Sequence, residues 1–120
     1  ITQLYSFDIK TTRPINQFES INASITHLTG TIDEGFVVCI RVEPNGIIGR
    51  HPTVYNQLFL VVEGEGQVSG GDGVWHDISV WQAAFWSPGE SHETRSKTGL
   101  TAIVIEGAEL QPQSRMKRID

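Results

Sequence analysis

Turn residues recur along this chain at intervals too short for helices. Between Phe36 and Gly107 the runs FVVCIRV, VYNQLFLVV, AAFW and LTAIVIE alternate with glycine and proline clusters. The clusters are Pro44-Asn45-Gly46, Glu63-Gly64-Glu65-Gly66, Ser69-Gly70-Gly71-Asp72-Gly73, Ser87-Pro88-Gly89 and Lys97-Thr98-Gly99. Such clusters end strands and close hairpins. No long segment repeats with a helical period, so the chain reads as all-β, a sandwich or barrel of short strands. Strands are expected over 36–42, 54–62, 74–75, 78–80, 83–86, 92–96 and 100–106, with Pro44-Asn45-Gly46 ending the first. Upstream, Leu4, Tyr5, Phe7 and Ile9, then Phe18, Ile21, Ile25 and Leu28, alternate weakly and fit short strands or extended edge segments. A short helical turn fits 16–20.

A length of 120 residues allows one domain with its own core. We expect that core over about 36–106, N-terminal strands over 1–35 and a polar tail over 107–120. A net charge of −5 argues against nucleic acid as a partner, since a phosphate backbone attracts the opposite sign. The basic cluster Arg115, Lys117 and Arg118 reads as a solvated end. No stretch is long and apolar enough to span a bilayer, so no membrane partner is expected. The one cysteine, Cys39, sits in an apolar run and reads as a small buried hydrophobe. With no secretory signal visible, a cytoplasmic protein is expected.

Side chains on a strand alternate between faces. Counting by twos from His51 puts Thr53, Tyr55, Gln57, Phe59 and Val61 on one face if no bulge intervenes. A buried row of His51, Thr53 and Gln57 needs partners: water, ligand, ion or other side chains. A second histidine, His92, follows the Pro88-Gly89 turn in SPGESHETRS.

Together these two segments resemble the paired motifs of the cupin superfamily, roughly G-x5-H-x-H-x3,4-E-x6-G and G-x5-P-x-G-x2-H-x3-N. His51 and Gly64 match the first motif; Thr53 stands for its second histidine and Gln57 for its glutamate, and Gly46 lies one residue closer to His51 than the pattern asks. Gly89 and His92 match the second motif. Ser87 stands at its proline beside Pro88, Trp81 replaces its leading glycine and Ser96 its asparagine. The resemblance spans about Phe36 to Glu106.

The resemblance implies a double-stranded β-helix, or jelly-roll barrel, commonly a homodimer. It also implies a small polar ligand, such as a sugar or organic acid, in a pocket lined by His51, Thr53, Tyr55, Gln57, Phe59 and His92. Many relatives of this type hold a divalent metal on three histidines and a carboxylate and act as isomerases, decarboxylases or dioxygenases. Here the corresponding donors are His51, Gln57 and His92, which suit Zn, Fe, Ni or Mn only with an amide in place of an anion. Three readings stay open: a metal-free binding pocket, an enzyme using that metal site with Tyr55 as acid or base, and a purely structural barrel. His27 and His76 read as surface or turn histidines, Arg95, Glu90 and Glu93 as rim or solvent-facing groups, and Arg41 is undecided. Phe59, Trp75, Trp81 and Trp86 read chiefly as core or dimer packing.

Overall fold

The computed structural model describes residues 5–120, so Leu4 of the N-terminal alternation lies outside the described residues. Among the described residues, eight strands follow a single 3-10 turn at Ile9–Thr11. They are β1 (Arg13–Pro14), β2 (Ile21–His27), β3 (Gly35–Pro52), β4 (Asn56–Ser69), β5 (Trp75–Ser79), β6 (Ala83–Trp86), β7 (Ser91–Ser96) and β8 (Leu100–Gly107). Every pairing is antiparallel.

Two long strands belong to both walls of the barrel. The first half of β3 pairs with β2 and with β8, from Gly35↔Gly107 to Val42↔Leu100. Its second half pairs with β7, from Gly46↔Ser96 to Pro52↔Ser91. The strand β4 does the same, lying on β8 and β6 first and on β7 and β5 afterwards. One sheet is therefore β1-β2-β3-β8-β4-β6 and the other β3-β7-β4-β5, closed at β3 and β4 into a jelly roll.

The expected turns at 44–46 and 63–66 are corners inside long strands rather than strand ends. Asn45 takes a left-handed backbone (φ 62°) where β3 leaves β8 for β7. Gly64 (φ 78°) does so where β4 leaves β8, and a Cβ there would lie 2.2 Å from the Gly99 carbonyl oxygen. Turn residues bend a strand without ending it when the ladder resumes on a new partner. Segments 74–75 and 78–80 merge into β5, and the expected helical turn at 16–20 is an irregular turn with Phe18 and Glu19 both left-handed.

Inward alternation fills the barrel. Val38 and Val42 from β3, Phe59 and Val61 from β4, Trp86 from β6, and Leu100, Ala102 and Val104 from β8 are buried in one cluster. Cys39 is fully buried; burial pushes its thiol pKa up, partly offset by Arg41. Arg41 donates to the Phe7 carbonyl (2.8 Å), and Arg95 lies 3.8 Å over the Trp75 ring on the exposed side of β7. No helix among the described residues is long and apolar enough to cross a membrane.

Candidate functional site

The register of β3 against β7 places His51 directly opposite His92. Pro52 has no N–H to continue the ladder, and the chain leaves β3 there. The next contact is made by the turn that precedes β7. Thr53 N–H donates to the Glu90 carbonyl (3.1 Å), and Gly89 N–H donates to the Thr53 carbonyl (2.8 Å). Ser87–Glu90 closes as a tight turn, Glu90 N–H to Ser87 O at 3.0 Å, with Gly89 supplying the positive φ of 79°. The Glu90 carboxylate accepts from Ser87 N–H (3.2 Å) and from Gly71 N–H (3.0 Å), so it ties two loops together. Behind His51, Arg50 donates to Gly70 O and Ser69 Oγ (each 2.8 Å) and faces Glu93 at 3.4 Å.

The two imidazoles sit in a continuous series of rings. Phe18 stacks on His51 (centroids 4.2 Å apart), His51 tilts against His92 (4.5 Å), Trp86 stacks on His92 (4.3 Å), and Phe59 meets Trp86 edge-on (5.9 Å). Phe18 comes from the turn between β1 and β2. Gly49 permits its approach, because a Cβ there would lie 1.5 Å from the Phe18 carbonyl oxygen.

Backbone carbonyls fix the tautomers. His51 Nδ1 lies 2.7 Å from Gly49 O, and His92 Nδ1 lies 3.4 Å from Glu90 O. A carbonyl only accepts, so each Nδ1 that faces one carries a proton. The His92 pKa is pushed down from 6.5 to about 4, first by burial and then by repulsion from His51; the Glu90 carbonyl and carboxylate oppose this weakly. His92 is therefore neutral at physiological pH.

Beside the imidazoles lies a polar cluster completed by a residue outside both motifs. Glu106, from β8, is buried and registers with Gln57 of β4. The Thr53 hydroxyl shares its single proton between Glu106 Oε1 and the Tyr55 carbonyl (2.8 Å). Gln57 Nε2 faces the same Glu106 oxygen at 3.4 Å.

A cavity of about 440 Å³ opens over these groups. His51, Gln57, Phe59, His92 and Thr94 line it together with Ile25, Ile40 and Ile48. The segment 14–18 and His27 complete its wall. Of the residues expected from sequence to share one face, His51, Gln57, Phe59 and His92 meet around the cavity. Thr53 is buried against Glu106, and Tyr55 is not part of the cavity wall. The alternation count fails between them because 53–55 is a bend between two strands. His27 registers with Val38 on the inner face of β2, so it reaches the wall although it is exposed.

The donor set does not fit a tight divalent cation. Thr53, in the second-histidine place, is committed to Glu106 and Tyr55, and Gln57 brings an amide where an anion would offset the ion's charge. Among the described residues, no group of three or more His, Cys, Asp or Glu side chains is placed to hold a metal ion.

No family model matches the sequence, and no curated protein matches it. Solved structures do match. The polyketide cyclase RemF from Streptomyces resistomycificus superposes with a TM-score of 0.76 at 19% identity, over 93% of this chain and 82% of that one. An RmlC-like cupin from Shewanella frigidimarina gives 0.70 at 24% identity, over 90% and 94%. The chain has the cupin fold. A protein described as a predicted oxalate decarboxylase from Thermotoga maritima gives 0.72 at 19% identity, over 79% and 90%. Within this cupin barrel the paired histidines and Gln57 stand at the cavity.

Proposed function

We propose that this cupin binds a small, uncharged, partly apolar organic molecule in the barrel cavity and holds it by its polar atoms against His51, His92 and Gln57. The supporting observation is the wall itself. It combines aromatic and branched aliphatic side chains with three imidazoles and the amides of Asn16, Gln17 and Gln57, and none of the described residues lining it is Lys, Arg, Asp or Glu. An ion entering such a site would lose its water without gaining a counter-charge. That disfavours organic acids and favours neutral molecules. The volume of about 440 Å³ lies within the usual range for small-molecule sites.

The test is a thermal-shift screen of sugars, neutral aromatic compounds and organic acids, followed by calorimetry. A true ligand at a hundred times its Kd stabilises the fold by about 2.7 kcal/mol. Ile48→Trp, which fills the cavity, should abolish that shift. A screen flat across all neutral compounds would overturn the reading.

One observation favours a second reading, a metal-dependent isomerase, decarboxylase or dioxygenase: both imidazoles meet the protein's carbonyls through Nδ1, not through Nε2. Elemental analysis separates the two. Our reading expects well under one equivalent of Zn, Fe, Ni or Mn after growth in supplemented medium, and a melting temperature unmoved by chelator. One equivalent that disappears in His51→Ala and in His92→Ala would replace it. A homodimer is also part of the proposal. Val62, Val80 and Trp81 (83% exposed) are apolar groups on the outer surface that a second copy would cover, and light scattering at micromolar concentration reads the mass directly.

A further inference from the structure

The cavity has two kinds of wall. Its depth is lined by Ile48, Gln57, Phe59, His92 and Thr94, all buried on strands of the barrel. Among the described residues, every exposed one that lines it belongs instead to the hairpin of β1 and β2: Pro14, Asn16, Gln17, Phe18 and His27. The mouth is therefore built by one element. Within that hairpin, Ile15 N–H donates to Ala23 O (2.9 Å) and Ser20 N–H to Gln17 O (3.1 Å). Residues 15–20 meet the barrel on β3, where Gly49 N–H donates to Ser20 Oγ (3.2 Å) and Phe18 stacks on His51. The three atoms nearest to a Cβ added at Gly49 all belong to Phe18, at 1.5, 2.7 and 3.4 Å. Phe18 and Glu19 are both left-handed (φ 59° and 56°) although neither is glycine. Such a backbone persists only where surrounding contacts impose it.

We propose that residues 15–20 form a strap that opens and closes the cavity mouth, with Gly49 as its seat and Phe18 as its latch. The gating role rests on the reading of the cavity as a ligand site. Opening gives up the Gly49–Ser20 hydrogen bond and the Phe18–His51 stack, and it lets two left-handed residues relax. Loss and gain are both small and lie outside the barrel core, which is where local opening is cheap. A molecule in the cavity touches the strap as well as the barrel, so it adds contacts that hold the strap down and slow its own release. The absence of a side chain at Gly49 is what lets the strap seat at all.

Chemical access to the cavity tests this without any ligand. Thr94→Cys places a thiol in the buried depth, while Cys39, fully buried away from the cavity, reports opening of the whole fold. The full chain is labelled with 4,4′-dithiodipyridine, a flat neutral disulfide, and peptide mass assigns each thiol. Gly49 does not have a left-handed backbone, so alanine fits β3 there but clashes with the seated Phe18 carbonyl. We expect Gly49→Ala to speed labelling of the introduced thiol about tenfold with Cys39 still slow, since the rate follows the open population. Ser20→Ala removes the hydrogen bond without a clash and should give about threefold. An unchanged rate in both variants would overturn the proposal, because the mouth would then admit the reagent without any strap motion. Parallel acceleration of both thiols would also overturn it, as loosening of the barrel and not of the strap. Should Gly49→Ala fail to fold, Ser20→Ala decides by the same two rates. A ligand screen that stays flat beside strap-dependent labelling would remove the proposed function and leave the moving strap standing.

Discussion

A histidine packed between an indole and a second imidazole resists protonation, and that resistance is linked to stability. In the unfolded chain His92 takes up a proton near its ordinary value of 6.5, whereas in the fold it does so only near about 4. Between those values the unfolded state binds more protons, so stability rises with pH. The contribution is complete above about pH 6.5 and is lost as pH falls through about 4. Urea unfolding should show a loss of about 2 kcal/mol from this group between about pH 7.5 and about pH 5. His92→Phe, which keeps a ring against Trp86, should flatten that slope; an unchanged slope would assign it elsewhere. Glu106 makes a second case at this scale. Glu106→Leu leaves the Gln57 amide N–H facing hydrocarbon, and we expect a cost of about 1–3 kcal/mol with weaker binding of a cavity ligand. Glu106→Gln, able to accept from the same groups, should recover part of both. The sequence carried a signal for this residue: Leu100, Ala102 and Val104 point inward, and Glu106 is the next position in that series. Thr53 and Tyr55 were harder to place, since a bend one residue after Pro52 resets the alternation and nothing in the local composition announces it.

At the scale of elements, β3 and β4 do the organising. Each is a single strand that corners from one sheet to the other, and sequence punctuation reads each corner as an end. A glycine or asparagine with positive φ is required in both cases; what differs between a corner and a hairpin is the partner on the far side, which lies distant in the chain. Gly64→Ala would combine a left-handed backbone with a Cβ 2.2 Å from Gly99 O. We expect it to cost more than about 2 kcal/mol, visible as a lower urea midpoint with little change in slope. The turn carrying Phe18 behaves differently. Phe18 is 46% exposed, so Phe18→Ala should change stability by about 1 kcal/mol or less. Its ring nevertheless forms part of the cavity wall, and ligand affinity should fall severalfold in the same variant. Equal losses in stability and affinity would make it packing alone. The motif histidines were legible because glycine-proline turns bracket them. Phe18 was not, since its stack on His51 crosses more than thirty positions of unrelated sequence.

For the whole molecule, sharing β3 and β4 between sheets has a consequence for cooperativity. Neither sheet can separate while the other stays intact, because the break would fall in the middle of two continuous strands. The pairings are also long in sequence, Gly35 with Gly107 and Gln57 with Glu106 among them, so little is formed before the barrel closes. Unfolding should therefore be two-state and folding slow for the chain's size, on the order of milliseconds to seconds. The tryptophans allow a direct check. Trp86 is buried in the first sheet against Phe59 and His92, while Trp75 lies at the outer strand of the second under Arg95. Variants retaining only Trp86 or only Trp75 as the fluorescent reporter should give the same urea midpoint, and both should coincide with the far-ultraviolet circular dichroism. A midpoint for Trp75 clearly below that for Trp86 would mean that β5 and its neighbours melt as a separate unit. The cavity floor could then loosen without global unfolding, because His92 stands on β7, the strand that joins β3 to the second half of β4. A ligand bound at His51 and His92 would raise both midpoints together in the two-state case, and only the Trp75 midpoint in the other.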